Sequence, residues 1–440
     1  MSLVQLPDDI LFYVLSFLKP PDLIHLRKTC KRLQAFTLER TVWKAAYRYS
    51  GYFLPPGPQP SQTVHDLERV LLRAHRWNKI WLKPPQTIAH TLACIWSFRT
   101  EIEEPLPVEL VHGRYVLIKG FKGMRVYDLE IRHEIFKYQS TGDEQLDWPD
   151  YQHSRTAESE AELGSLTPFS RNERLAFLKV TSQGDIDLID TEIRMIGNEG
   201  ITTGYDCCVI QDSSNTISVL HVPSRKMYSL HPTSIDMQNV ATLLMILPGY
   251  VLLFHDQFAD TCVELYALPN HTTVLSGSSV KRTHSGTFQR FLVEEPLYLS
   301  SDISDQDRTG FIWAAAVFED DNGEGVRPLR ITLEPEAKLG FYLPNTPECD
   351  PSISMPFCID YIAIGGTRAR GIGYTNTIFG EGFDKAQVAI YDAYLGRDGD
   401  WRVDAACVHV PRLDGSCSFD VSVGLIHLRQ DGVVEVLDLC

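Results

Sequence analysis

Several signatures are missing from this 440-residue chain, and each absence removes a class of protein. The longest apolar candidate, from Val240 to Phe254, is broken by Pro248-Gly249. No window therefore supplies the roughly 20 apolar residues of a membrane helix. The opening MSLVQLPDD turns acidic within nine residues, without the basic-then-apolar order of a secretory leader, so none is expected. The 10 cysteines are irregularly spaced, with only Cys207 and Cys208 together. In a chain of this length they read as reduced, buried thiols, and an intracellular location, cytoplasmic or nuclear, is expected. The Asn270-His271-Thr272 sequon is then incidental. The 29 Gly and 25 Pro are scattered, which excludes collagen-like and low-complexity chains.

Catalytic signatures are missing too. There is no G-x-S-x-G elbow, no P-loop and no G-x-G-x-x-G. Gly371-Ile372-Gly373 runs on into Tyr-Thr-Asn and suits a strand turn. The 14 histidines include no H-E-x-x-H, and no cysteine pair has zinc-ligand spacing; Cys349 and Cys358 read as buried thiols. The acidic run from Glu319 to Glu324 lacks the alternating ligands of a calcium loop. The expectation is a non-enzyme with no metal, no cofactor and no catalytic residue.

What is present is ordinary globular material: 44% hydrophobic and 22% charged residues, enough for two or three domains. The net charge of −16 is unevenly split. Residues 1–83 carry 13 basic and 6 acidic groups, a net of +7, and residues 84–440 carry 28 and 51, a net of −23. That places a boundary near residue 83 and argues against binding nucleic acid or an anionic membrane over the whole surface.

Leu6-Pro7-Asp8-Asp9 reads as a helix start, with Pro at the first position and two acids where the helix dipole favours them. Ile10, Val14, Leu15 and Leu18 follow at helical spacing until Lys19-Pro20-Pro21 stops them. Asp22 is the expected N-cap of a second helix whose stripe is Leu23, Leu26, Cys30 and Leu33. Arg27, Lys28, Lys31 and Arg32 form its basic face. A third helix carries Val42, Trp43, Ala46 and Tyr47. A unit this small buries little surface alone and calls for a partner or a larger domain to cap.

Taken together, Leu6-Pro7-Asp8-Asp9-Ile10-Leu11, Val14-Leu15-Ser16-Phe17-Leu18, Pro21-Asp22-Leu23, Leu26-Arg27, Cys30-Lys31-Arg32 and Trp43 resemble the F-box motif over residues 3–48. Thr29 stands where the family often has an aliphatic residue, and Leu33 where it often has Trp. The resemblance implies docking onto the adaptor subunit of SCF-type cullin–RING ubiquitin ligases, and through it onto cullin, with the rest of the chain presenting a protein substrate. The matching adaptor-binding positions are Leu6, Pro7, Ile10, Val14, Leu15, Leu18, Pro21, Leu23, Leu26, Cys30, Lys31 and Trp43. By chemistry, an apolar helical surface rimmed by positive charge suits an apolar groove on an acidic partner. Some of these twelve side chains are expected to serve the module's own core.

Residues 50–60 are a Pro/Gly-rich connector. Thr63-x-x-Asp66 has the form of a capping box. The apolar spacing from Val64 to Trp81 then predicts one helix over about 64–82, ended by Pro84-Pro85. Its Arg69, Arg73, Arg76 and Lys79 form either a solvated face or part of a rigid spacer. The domains read as 1–48, a helical F-box module; 49–84, linker and amphipathic helix; and 85–440, an all-β substrate-recognition domain.

After Pro85 short apolar runs alternate with turn clusters. A strand–turn–strand unit recurs seven times, starting at Gly113, Glu173, Gly204, Gly249, Gly310, Gly371 and Gly424, at intervals of 31 to 61 residues. Repeats of about 40–50 residues suit propeller blades. The fold class expected is α+β multidomain: helices, then a divergent β-propeller of about seven blades, with six or eight blades or a pair of β-sandwiches as alternatives. Leucine-rich repeats are excluded because no L-x-x-L-x-L spacing recurs. The strand Val433 to Leu439 would be a hazardous free edge unless an early strand, within Thr91 to Phe98, closes the ring against it.

Two function classes follow: a ligase substrate receptor, or a propeller scaffold or enzyme whose F-box serves only adaptor binding or its own turnover. The acidic β domain favours a neutral or basic docking segment in the substrate, unless Arg368, Arg370 and Arg282 gather into a local basic patch.

Overall fold

A computed structural model describes residues 5–50, 52, 54, 58, 62–81 and, within 93–438, the strands and most of the short turns between them. The longer stretches outside the described residues are 82–92, 154–164, 233–241, 290–298, 303–310, 343–357 and 375–384.

Five helices come first: α1 (Asp8–Ser16), α2 (Pro20–Arg27), α3 (Lys31–Thr37), α4 (Arg40–Tyr49) and α5 (Val64–Trp81). The expected long second helix is two helices. The Thr29 hydroxyl donates to the Leu26 carbonyl, and Cys30 is fully extended (φ −159°), so the helical path breaks before Lys31. Asp22 is not its cap either. Pro20 and Pro21 occupy the first turn, where a missing N–H costs nothing, and the Lys19 carbonyl accepts from the Asp22 and Leu23 amides. The Thr63–Asp66 capping box is present: each side chain accepts the other residue's backbone N–H, at 3.2 and 2.9 Å.

One core serves all five helices. Leu11 and Leu15 of α1, Leu23, Leu33, Val42, Trp43, Ala46 and Tyr47 pack with Leu67 and Leu71 of α5. The Trp43 indole N–H donates to the Thr37 carbonyl at 2.8 Å. Arg27 lies over the Trp43 ring and forks onto Glu68 of α5 at 2.8 and 3.2 Å, a bidentate pair that ties α2 to α5.

The rest is a β-propeller of seven antiparallel sheets in chain order. Blade one runs from Glu109 to Gln139, blade two from Leu146 to Arg194, blade three from Gly200 to Leu230 and blade four from Thr242 to Gln289. Blades five, six and seven begin at Leu299, Cys358 and Ser416. Each of the seven hairpins read in the sequence falls in a different blade. Six are the central pair of their blade; the hairpin at Glu173 is instead the outer pair of blade two, one strand out of step. This explains the short 31-residue interval. Second strands of the blades begin at 115, 165, 207, 250, 311, 368 and 424, a steadier spacing.

The ring closes where the terminal strand required it. Ala93–Arg99 pairs antiparallel with Val433–Asp438 as the outer strand of blade seven. Trp96 and Phe98 of the closing strand stack towards Tyr127 of blade one, above a core of Val434, Val436, Val116 and Ile118. Among the described residues only blade three has six strands, because Tyr151–His153 and Ser279–Val280 add in parallel to its two edges. Among the described residues no helix is long and apolar enough to cross a membrane.

Candidate functional site

Helix α1 has two unlike faces. Leu11 and Leu15 point into the helical core with no exposed surface. Ile10, Tyr13 and Phe17, at i, i+3 and i+7, point outward and are 45%, 67% and 66% exposed. Tyr13 and Phe17 meet edge-to-face with centroids 4.8 Å apart. The ridge is therefore partly ordered without any core contact.

The twelve positions matched to the F-box divide by burial. Leu15, Leu23 and Trp43 are fully buried and support the surface from below. Leu18, Leu26 and Cys30 are half-buried against the same core. Leu6, Val14 and Pro21 are half-buried, and Pro7, Ile10 and Lys31 are exposed. The Leu6 carbonyl accepts from Arg32, whose guanidinium also bonds Asp8 at 2.7 Å, so α3 pins the start of α1. Tyr13 falls outside the matched motif, and Phe17, though within it, is not among the twelve positions; their spacing with Ile10 marks a second apolar face. Lys19, Lys28 and Lys31 are exposed on the helical module.

Helix α5 faces two ways. One side completes the helical core; the other reaches the propeller. Arg69 bonds Asp66 of its own helix at 2.9 Å and Glu130 of blade one at 3.0 Å. Glu130 also meets Arg114 at 3.4 Å, and Arg114 forks onto the nearly buried Asp128. A ladder of alternating charges thus joins helix to blade. Asp66 lies lower than a free carboxyl, against the opposing pull of partial burial, because the Thr63 hydroxyl and amide and the Arg69 charge favour its ionised form. Farther along α5, His75 shares a 2.7 Å hydrogen bond with Tyr52 and is lowered by burial and by Lys79 and Lys19.

Among the described residues no group of three or more His, Cys, Asp or Glu is placed to hold a metal. Of the suggested arginine patch, Arg282 belongs to blade four, where it pairs with the fully buried Glu264, while Arg368 and Arg370 lie on a strand of blade six and their side chains fall outside the described residues.

Residues 3–49 match the F-box-like family. Comparison with curated proteins gives no match. Among solved structures, the WD40 domain of SCAP from fission yeast is 11% identical, with 75% of this chain and 82% of that chain covered and a TM-score of 0.39. Drosophila Plexin A in complex with Semaphorin 1b is 10% identical, covering 80% and 88%, with a TM-score of 0.42. Kluyveromyces lactis Hsv2 is 8% identical, covering 70% and 86%, with a TM-score of 0.37. The seven sheets and their joint closure are what make the β domain a propeller, and the chain is an F-box-like helical module joined to that propeller.

Proposed function

We propose that this protein is the substrate-recognition subunit of an SCF-type cullin–RING ubiquitin ligase. It docks on the adaptor through Leu6, Pro7, Ile10, Val14 and their neighbours, and holds a protein substrate on the propeller. The chemistry of ubiquitin transfer then belongs to other subunits. The observation that carries the reading is the outward apolar face of α1: the helical core is complete without Ile10, Tyr13 and Phe17, so these side chains have no structural task in the free chain. The exposed lysines of the module suit an acidic partner. The ladder from Arg69 to Asp128 supports the second half of the reading, because a receptor has to hold its substrate at a defined place relative to the adaptor.

The test is a pull-down with purified adaptor. Truncating aliphatic side chains at an interface centre costs about 1–3 kcal/mol each. The Leu6→Ala/Pro7→Ala form and the Tyr13→Ser/Phe17→Ser form should both lose most adaptor recovery while keeping their helical circular dichroism. Unchanged recovery by both folded variants would overturn the docking surface.

A further inference from the structure

Residues 84–440 carry 28 basic and 51 acidic groups, yet basic side chains gather at one end of blade three. His221 closes the third strand of that blade, Ile217–His221, and Lys226 opens the fourth, Lys226–Leu230. His271 arrives from blade four, and its ring stacks on His221 with centroids 3.7 Å apart and planes 5° from parallel. The Lys226 ammonium donates to the His271 carbonyl at 2.7 Å. The charged and titratable groups bearing on the two rings are each other, Lys226 and Tyr228, with Cys207 behind Tyr228. Among the described residues no carboxylate acts on either ring.

One nitrogen of each ring is already engaged. His221 Nδ1 lies 2.7 Å from the Ser224 hydroxyl, and His271 Nδ1 lies 3.3 Å from the Tyr228 hydroxyl, so both rings are held in orientation. Neither Nε2 has a partner among the described residues, and both histidines keep partial exposure. Burial, the adjoining ring and Lys226 hold His221 down at about 4, and burial and Lys226 lower His271. Two stacked rings beside an ammonium are thus short of a negative charge. An anion lying against their free edges reverses the balance, because each proton gained then has a partner.

We infer that His221, His271 and Lys226 form a binding site for a phosphate monoester. A carboxylate brings one negative charge, too little for two rings and an ammonium. A phosphate group brings close to two, with three acceptor oxygens for the two ring Nε2–H groups and the lysine Nζ. Binding draws protons onto the rings, so affinity rises as pH falls towards their raised midpoints. It declines again below about pH 6, where the phosphate loses its second charge. The same chemistry is offered by a free phosphate and by a phosphorylated protein segment. The site shares no residue with the outward face of α1, so its failure would leave the adaptor-docking reading standing.

NMR of the full chain with labelled histidine tests this at constant ionic strength. Inorganic phosphate and N-acetyl-phosphoserine amide are the probes, and acetate is the control. With either probe at pH 6.0 the His221 and His271 signals should shift saturably. Across a pH titration their midpoints should rise by about one unit, a tenfold preference for the protonated rings. Tighter binding of the phosphoserine probe marks a protein-borne phosphate as the ligand, and tighter binding of inorganic phosphate a free one. Lys226→Met, and His271→Phe, which keeps a ring over His221, should each weaken binding about tenfold. No shift at either ring, an equal shift with acetate, or undiminished binding by both variants would overturn the site. Should the variants fail to fold, the wild-type comparison of phosphate with acetate decides by itself.

Discussion

Helix α1 buries Leu11 and Leu15 and leaves Ile10, Tyr13 and Phe17 in water, whereas in blade one all twelve residues of Tyr115–Gly120 and Gly123–Asp128 are buried. The two regions deal with apolar surface in opposite ways. A propeller blade has a neighbour on each face, so both faces of its central strands are covered within the chain. A short helix in a small bundle covers one stripe only, and this bundle carries a second stripe that its own fold has no use for. The contrast separates a region that is finished as it stands from one whose surface anticipates another molecule.

The sharpest way to break the comparison is to damage the closing strand. Val436 is buried between Ile426 and Trp96 of its two neighbouring strands. Val436→Asp places an unpaired charge there and should cost about 3–5 kcal/mol or more. Denaturant unfolding followed by tryptophan fluorescence should then lose the propeller transition, with helical signal from the first 81 residues retained. If both regions unfold together, they are one cooperative unit and the contrast fails.

The reciprocal experiment is Trp43→Ala, expected to cost the helical core about 3–5 kcal/mol. The loss includes the indole bond to Thr37 and the surface on which Arg27 rests. Exchange protection in the propeller should be unaffected while amides of α1 to α5 open. The smallest effect belongs to the junction. Arg69 is half-exposed, so Arg69→Ala should cost less than about 1 kcal/mol. It should nonetheless broaden the distance distribution between spin labels on α5 and blade one, as should high salt for the wild type. An unchanged distribution would show that the ladder does not set the angle between the regions.

Much of this was legible in the sequence, for physical reasons that can be located. The Leu6 to Trp43 pattern was readable because caps, stops and stripes lie within a few residues of each other. Seven hairpins were readable because each needs only a local apolar run and a turn. The closing pair was inferred from one fact, an apolar strand near residue 438 that needed a partner. What escaped was non-local or marginal. The division of α2 from α3 turns on one extended residue, Cys30. Blade two was read one strand late because its tight turn at Asn172 and Glu173 contains no glycine, although both residues have positive φ (51° and 60°), as the favoured hairpin turn requires. The parallel additions to blade three have no local signature at all, since each pairs with a strand far along the chain. Burial within the F-box pattern was equally hidden: spacing marks Leu15 and Ile10 alike as apolar, and only packing separates them.

The closing strand also sets an order of events during synthesis. Ala93 must wait for Asp438, so the ring stays open until the chain has been made as far as residue 438. At about 5–20 residues per second, translating the intervening stretch takes on the order of 20–70 s. The helical core needs nothing beyond Leu71 and can form as soon as that segment clears the ribosome. For that interval a nascent chain would display a finished docking module ahead of an unfinished recognition domain, and a partner present at the ribosome could engage it before any substrate can be held.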